Sequence, residues 1–132
     1  MKLKNKTKAT TIGSQIDVAD TSLKRLFGLA GRRRLDAGCG LLIRPSSGIH
    51  TFGMRFAIDV VALTRDLRVL RVWHQLRPFR MTCISLKIHN VLEIGAGEIG
   101  RCNIEVGDQL EVVQDIGPDT ECSDTPNSAF RS

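Results

Sequence analysis

A chain of 132 residues, 42% of them hydrophobic and 25% charged, has the length of one domain and the composition of an ordinary soluble globule. It has no apolar run near the roughly 20 residues of a membrane-spanning helix, which excludes a membrane span, and its composition excludes a wholly disordered chain and a disulfide mini-protein. The net charge of +5 hides an asymmetry: residues 1–44 balance at +7, residues 45–90 at +5 and residues 91–132 at −7. A basic front and an acidic back attract each other, which leaves little free positive surface for a polyanion.

The chain opens Met1-Lys2-Leu3-Lys4-Asn5-Lys6-Thr7-Lys8, a charged start with no apolar run after it, because residues 9–15 are mostly polar. No export signal is read in this chain as written, and the expected location is the cytoplasm. Residues 1–10 read as a disordered basic leader, 11–114 as a single folded domain and 115–132 as a disordered polar tail. Cys39, Cys83, Cys102 and Cys122 form no C-x-x-C pair, so metal-ligand spacing is missing and a cytosolic chain is expected to keep them as thiols.

In chain order, a strand is expected over 15–19, where Ile16 and Val18 alternate with Asp17. Thr21 or Ser22 can cap a helix whose Leu23, Leu26, Phe27 and Ala30 share one face, with Gly31 to end it and Arg32, Arg33 and Arg34 at the negative end of its dipole. Short Val- and Ile-rich runs at 40–43, 49–52, 58–63, 68–74 and 88–94 read as strands, with Arg65-Asp66-Leu67 connecting a hairpin. The Ile104/Val106 and Leu110/Val112 pairs flank a tight Gly107-Asp108 turn. One helix among so many strands predicts a mainly β, α+β domain, with an antiparallel or mixed sheet that is barrel-like or sandwich-like; closure is the economical way to protect the edges.

The densest polar cluster in apolar surroundings is Ile49-His50-Thr51-Phe52-Gly53-Met54-Arg55-Phe56-Ala57-Ile58-Asp59-Val60-Val61. A carboxylate inside a Val/Ile strand, as at Asp59, must face solvent, find donors or change its ionisation. A structural Asp59 pairs with Arg55 or with backbone amides; a functional one faces a ligand. His50 beside Asp59 and Glu93 could serve as a metal ligand or general base, although no H-x-H or H-x-x-x-H spacing supports a metal. Gly95-x-Gly97-x-x-Gly100 matches G-x-G-x-x-G, but no helical pattern is read after it, so its glycines are assigned to sharp turning and not to a dinucleotide. Ser46 and Ser47 lie in no nucleophile elbow, and Cys83 has only Arg80 nearby in sequence to activate it.

Ala19-x-Thr21, Arg25-x-x-Gly28-Leu29, Gly40-Leu41-Leu42-Ile43, Ile49-His50-Thr51-x-x-Met54-Arg55-x-x-Ile58-Asp59-Val60-Val61, Val91-Leu92-Glu93-x-x-Ala96-Gly97 and Val106-Gly107-Asp108 stand in the order of a bacterial and archaeal family. Over roughly residues 16–113 the chain resembles domain of unknown function 192, also called uncharacterised protein family 0127, in the branch with Ile-His-Thr before the Met. The resemblance implies a compact, mainly β domain with an early short helix, and no established reaction, cofactor or substrate. It also implies relatives that are often exported or membrane-anchored, some encoded near pilus-assembly genes, a hint of cell-envelope partners. The chain departs from the family pattern at Ala30, Gly53, Ala57, Ala62 and Leu67, the last in place of a turn glycine.

The reading that follows is a small binding or accessory module, not a self-sufficient enzyme, with no cofactor and an unknown ligand or protein partner. Its candidate ligand-binding residues are His50, Met54, Arg55, Asp59 and Glu93, with Arg55 recognising an anionic group while Asp59 and Glu93 accept hydrogen bonds. An enzyme or metal site would instead require His50, Asp59 and Glu93 to converge. Nucleic-acid binding would require Arg32, Arg33 and Arg34 to form one basic face with the arginines of 65–80.

Overall fold

β-Branched and alternating runs form the strands in a computed structural model that describes residues 1–19, 35–46, 56–77 and 85–113. In chain order these are β1 (Lys2–Asn5), β2 (Thr10–Gly13), β3 (Gln15–Ala19), β4 (Cys39–Ile43), β5 (Ile58–Leu63), β6 (Val69–Leu76), β7 (Asn90–Gly95), the one-turn helix α1 (Glu98–Arg101) and β8 (Leu110–Val113). They form a three-stranded antiparallel sheet, β2-β1-β8, and a five-stranded sheet, β3-β4-β7-β5-β6. Among the described strand pairs only β3–β4 is parallel.

The domain is mainly β with one short helix among the described residues, and its sheets are not closed into a barrel but stack in a sandwich-like arrangement. The barrel-like alternative gives way because a second sheet covers the larger one, which therefore has no need to curl onto itself. Leu3, Ile12 and Leu110 of the small sheet pack against Ile16, Leu42, Val61, Leu63, Leu92 and Ile94 of the large one, with Ile99, Cys102 and Ile104 closing one end. The other face of the large sheet is apolar as well, built from Ala19, Leu41, Ile43, Ile58, Val60, Ala62 and Val91, with Trp73 and Leu76 beside them. Burial on both faces explains why β4, β5 and β7 read as continuous apolar runs without alternation.

Residues 1–10 are not a frayed leader. Lys2–Asn5 is the central strand of the small sheet, paired with β2 on one side and β8 on the other. Its lysines alternate with Leu3 and Asn5, both 0% exposed, so the period of two was present under the positive charge. The Met1 amino group also donates to Ile16 O at 3.0 Å, and Ile16 N donates back to Met1 O at 3.0 Å.

The β5–β6 hairpin forms through residues 64–68 as expected. Leu67 there has φ 69°, the left-handed conformation that favours the glycine it replaces, while its side chain packs on the inter-sheet core. The Gly107 turn has φ 97°, but residues 104–106 before it are not a strand. A helix does follow Gly97, contrary to expectation; at one turn it is too short to carry an apolar period. The expected helix over 22–30, the strand over 49–52 and the tail lie outside the described residues.

Leu3→Ala is expected to destabilise the protein by about 2–4 kcal/mol, the range for truncating a fully buried leucine. Urea unfolding checks this as a lower midpoint at an unchanged m-value.

Candidate functional site

Asp59 lies in β5 opposite Ile94 of β7, on the inter-sheet side, and is 0% exposed. Its carboxylate accepts three backbone hydrogen bonds, from Gln75 N to Oδ1 at 2.8 Å and from Gly97 N and Ile99 N to Oδ2 at 3.0 and 2.9 Å. Each has a local cause. On β6 the register slips between Ile58↔Leu76 and Val60↔Trp73, so His74 and Gln75 together oppose Asp59, and Gln75 takes φ 50°. Such a bulge leaves an amide without a ladder partner, and Asp59 Oδ1 takes it. On the other side Gly97, at φ 91°, starts α1 but has no side chain to cap it. Asp59 supplies the cap from a distant strand, satisfying amides that a helix start leaves open.

This occupancy bears on the glycine motif. An anion at α1 would compete for the Gly97 and Ile99 amides, and the protein's own carboxylate already holds them. Gly95 has a different task, since a Cβ there would sit 2.7 Å from Leu35 O, so a larger residue would push the backbones apart.

Glu93 lies opposite Val60 and Leu41, one register position from Ile94. Successive strand residues point to opposite faces, so Glu93 shares the Leu41/Val60 face while Asp59 shares the inter-sheet face. Glu93 is buried and has an interaction partner of its own. The two carboxylates are therefore separated by the sheet and do not meet in one cleft. His50, Met54 and Arg55 lie outside the described residues, as do Arg32, Arg33, Arg34 and Cys83. Among the described residues, no group of three or more His, Cys, Asp or Glu is placed to hold a metal.

A second polar cluster, not anticipated as such, joins the first strand and the turn after it to the loop before β8. Asp108 Oδ2 accepts from Asn5 Nδ2 at 2.8 Å, Lys8 Nζ at 3.0 Å and Glu105 N at 3.0 Å. Lys8 Nζ also reaches Asn103 O at 2.7 Å and Glu105 Oε1 at 2.8 Å. Burial alone would raise the Asp108 carboxyl, but the bonds from Asn5, the Glu105 amide and Lys8 outweigh it and hold the group below its ordinary value. A Gly-Asp turn after a polar stretch signals the bend; the partner Asn5, 103 positions away, carries no sequence signal.

The DUF192 family model, described as "Uncharacterized ACR", matches residues 2–112. The chain belongs to the DUF192 family. Its match begins within β1, so it takes in the two N-terminal strands that the motif blocks of residues 16–113 left out. The UPF0127 protein of Pyrococcus furiosus is 32% identical over 110 residues, covering 81% of this chain and 94% of that protein. The UPF0127 protein of Pyrococcus abyssi is 31% identical over 110 residues, covering 81% and 93%. Two crystal structures share the fold of this DUF192 domain. A protein of unknown function from Novosphingobium aromaticivorans has TM-score 0.73 and 20% identity, covering 84% of this chain and 82% of the other. A Sinorhizobium meliloti protein described as a proposed transcription regulator has TM-score 0.70 and 20% identity, covering 83% and 89%.

The cysteines of this DUF192 domain differ from the expected thiols in one respect. Cys39, buried at the start of β4, is disulfide-bonded, with its partner outside the described residues. Cys102 is a free thiol, buried in the inter-sheet core, and burial pushes its pKa up. A thiol so placed is a small hydrophobe and not a nucleophile.

Asp59→Asn keeps the shape but presents an NH2 group to one set of amide donors, leaving buried N–H groups unpaired. A loss of about 2–4 kcal/mol is expected in urea unfolding. For Asp108 the depressed folded pKa means that the unfolded state binds more protons in acid. The contribution is therefore complete above the unfolded carboxyl value of about 4 and is lost as pH falls through the folded value. Urea midpoints measured from about pH 6 down to pH 3 should fall less steeply for Asp108→Asn than for wild type.

Proposed function

We propose that this DUF192 domain is a binding or accessory module and not a self-sufficient enzyme. The observation that carries the reading is the placement of Asp59: all of its described contacts are backbone amides, and the sheet divides it from Glu93. A paired-carboxylate or His-Asp-Glu site would require the two acids on one side. The ligand contacts are assigned to Glu93 together with His50, Met54 and Arg55, with Arg55 recognising an anionic group. Asp59 is reassigned from ligand contact to positioning residue.

Nucleic-acid binding is the weaker reading, because several of the arginines it calls on are engaged within the fold. Arg68 donates to Gly107 O at 3.0 Å, Arg71 stands 5.3 Å over the Trp73 ring and Arg77 has an interaction of its own. The regulator description belongs to the Sinorhizobium protein, and at 20% identity the likeness is one of fold. No described helix is long and apolar enough to cross a membrane. The disulfide at Cys39 supports work in an oxidising compartment over the cytoplasmic placement, since reducing compartments keep such cysteines as thiols. That agrees with the cell-envelope partners the family resemblance implies.

Thermal-shift titration of the full chain with small phosphates and carboxylates tests the proposal. A compound that stabilises wild type but not Arg55→Ala, with the unliganded Tm of that variant changed by less than about 2 °C, is the expected result. Conversion of such a compound to product by the purified chain would contradict it.

A further inference from the structure

At one end of the larger sheet three segments meet: the residues leaving β4, the β5–β6 hairpin and the residues entering β7. Ser46 N donates to His89 O at 2.9 Å and His89 N to Leu63 O at 2.9 Å, which fixes these segments to one another. Buried Asn90 closes the corner, its Nδ2 donating to Thr64 O at 2.8 Å and more loosely to Arg65 O at 3.4 Å. Between them lies an open cavity of about 440 Å³ lined by Arg44, Pro45, Arg65, His89 and Asn90. A second depression of about 320 Å³ shares Pro45 and His89 and is completed by Ser46, Leu86 and Ile88.

The two halves differ in chemistry. In the first, no carboxylate is among the described lining residues, and the side chains of Arg44, Arg65 and His89 make no hydrogen bond or ion pair. Asp66, next to Arg65 in the turn, is exposed and does not line the cavity. Two guanidinium groups thus share one cavity on a backbone that is pinned, with no carboxylate among the described lining residues to offset their repulsion. Their forked donors match a phosphate or carboxylate in two-point geometry. In the second half Leu86 is 93% exposed beside buried Ile88 and the ring of Pro45. A large aliphatic side chain left in water beside an apolar wall is costly unless something covers it.

We propose that this double cleft binds a small anionic amphiphile. A phosphomonoester head sits between Arg44 and Arg65, with His89 at the junction, and a short apolar body lies over Pro45, Ile88 and Leu86. The cavity volumes suit a small molecule, within the general range of about 300–1,000 Å³ for ligand sites, and not a polyanion, which needs an extended face. This proposal does not rest on the assignment made above for Glu93.

Calorimetric titration of the full chain with inorganic phosphate, hexyl phosphate and hexanol separates the halves. Hexyl phosphate is expected to saturate and to bind at least about tenfold more tightly than inorganic phosphate, while hexanol gives no saturable binding. The Arg44→Ala/Arg65→Ala double variant should lose about tenfold or more in hexyl phosphate affinity at an unchanged Tm, because neither side chain holds the fold. Arg44→Lys/Arg65→Lys keeps the charge without the fork and should recover only part of that loss. Leu86→Ser should weaken hexyl phosphate and leave inorganic phosphate unchanged. Arg55→Ala should bind hexyl phosphate as wild type does, which distinguishes this site from the other. Equal hexyl phosphate affinity in wild type and the double alanine variant would overturn the proposal, as would the absence of saturable binding. Sedimentation with phosphatidic acid vesicles, abolished by the double variant while hexyl phosphate fails to bind, would overturn the small soluble ligand in favour of a lipid surface.

Discussion

One buried carboxylate ties together three parts of the fold at a single point. Asp59 projects from β5 into the space between the sheets, where it receives an amide from the β6 bulge and two from the start of α1. A carboxylate without water is tolerated only where donors replace its hydration, and here those donors are backbone groups that would otherwise be orphaned. The dependence is mutual. Without the bulge at Gln75 and the left-handed Gly97, Asp59 would be an unpaired buried charge; without Asp59, those amides would lack a partner.

That arrangement constrains function through the geometry of the sheet. Because β5 and β7 pair with Asp59 opposite Ile94 and Val60 opposite Glu93, the two acids of this DUF192 domain occupy different sides. The inter-sheet side is filled by apolar packing around Asp59. At the rim, the arginines flanking β4 and the β5–β6 turn are free of internal partners, unlike Arg68 and Arg101, which donate to the carbonyls of Gly107 and Ile12. Free donors on a pinned backbone are the usual furniture of recognition, whereas committed ones stabilise the fold.

Much of the larger sheet was legible in the sequence, because a strand buried on both faces leaves a continuous apolar run. Residues 58–63 show this at their observed limits, while residues 15–19 were legible from the alternation of Ile16 and Val18 with Asp17. The small sheet was hidden by charge: Lys2, Lys4 and Lys6 outweigh Leu3 and Asn5 in any compositional reading, although the alternation was there. Its pairing with β8, more than a hundred positions away, leaves no local mark. Asp59 is legible as an anomaly in its strand, a carboxylate among Val and Ile that needs donors. The donors are not, since an amide freed by a bulge or by a one-turn helix depends on register and not on residue type. The face assignment of Glu93 was equally hidden, because a single step in register sends a side chain to the opposite side.

Native-state hydrogen exchange at three amides tests the central role of Asp59 most directly. In wild type the amides of Gln75, Gly97 and Ile99 should exchange as slowly as those of Val61 and Leu92 in the core, opening only when the whole domain unfolds. In Asp59→Asn the same three should exchange faster than the core amides by about a hundredfold or more, through local openings of the β6 bulge and α1. If all three instead keep their protection relative to Val61 and Leu92, the carboxylate does not hold these elements together, and the account built on it fails.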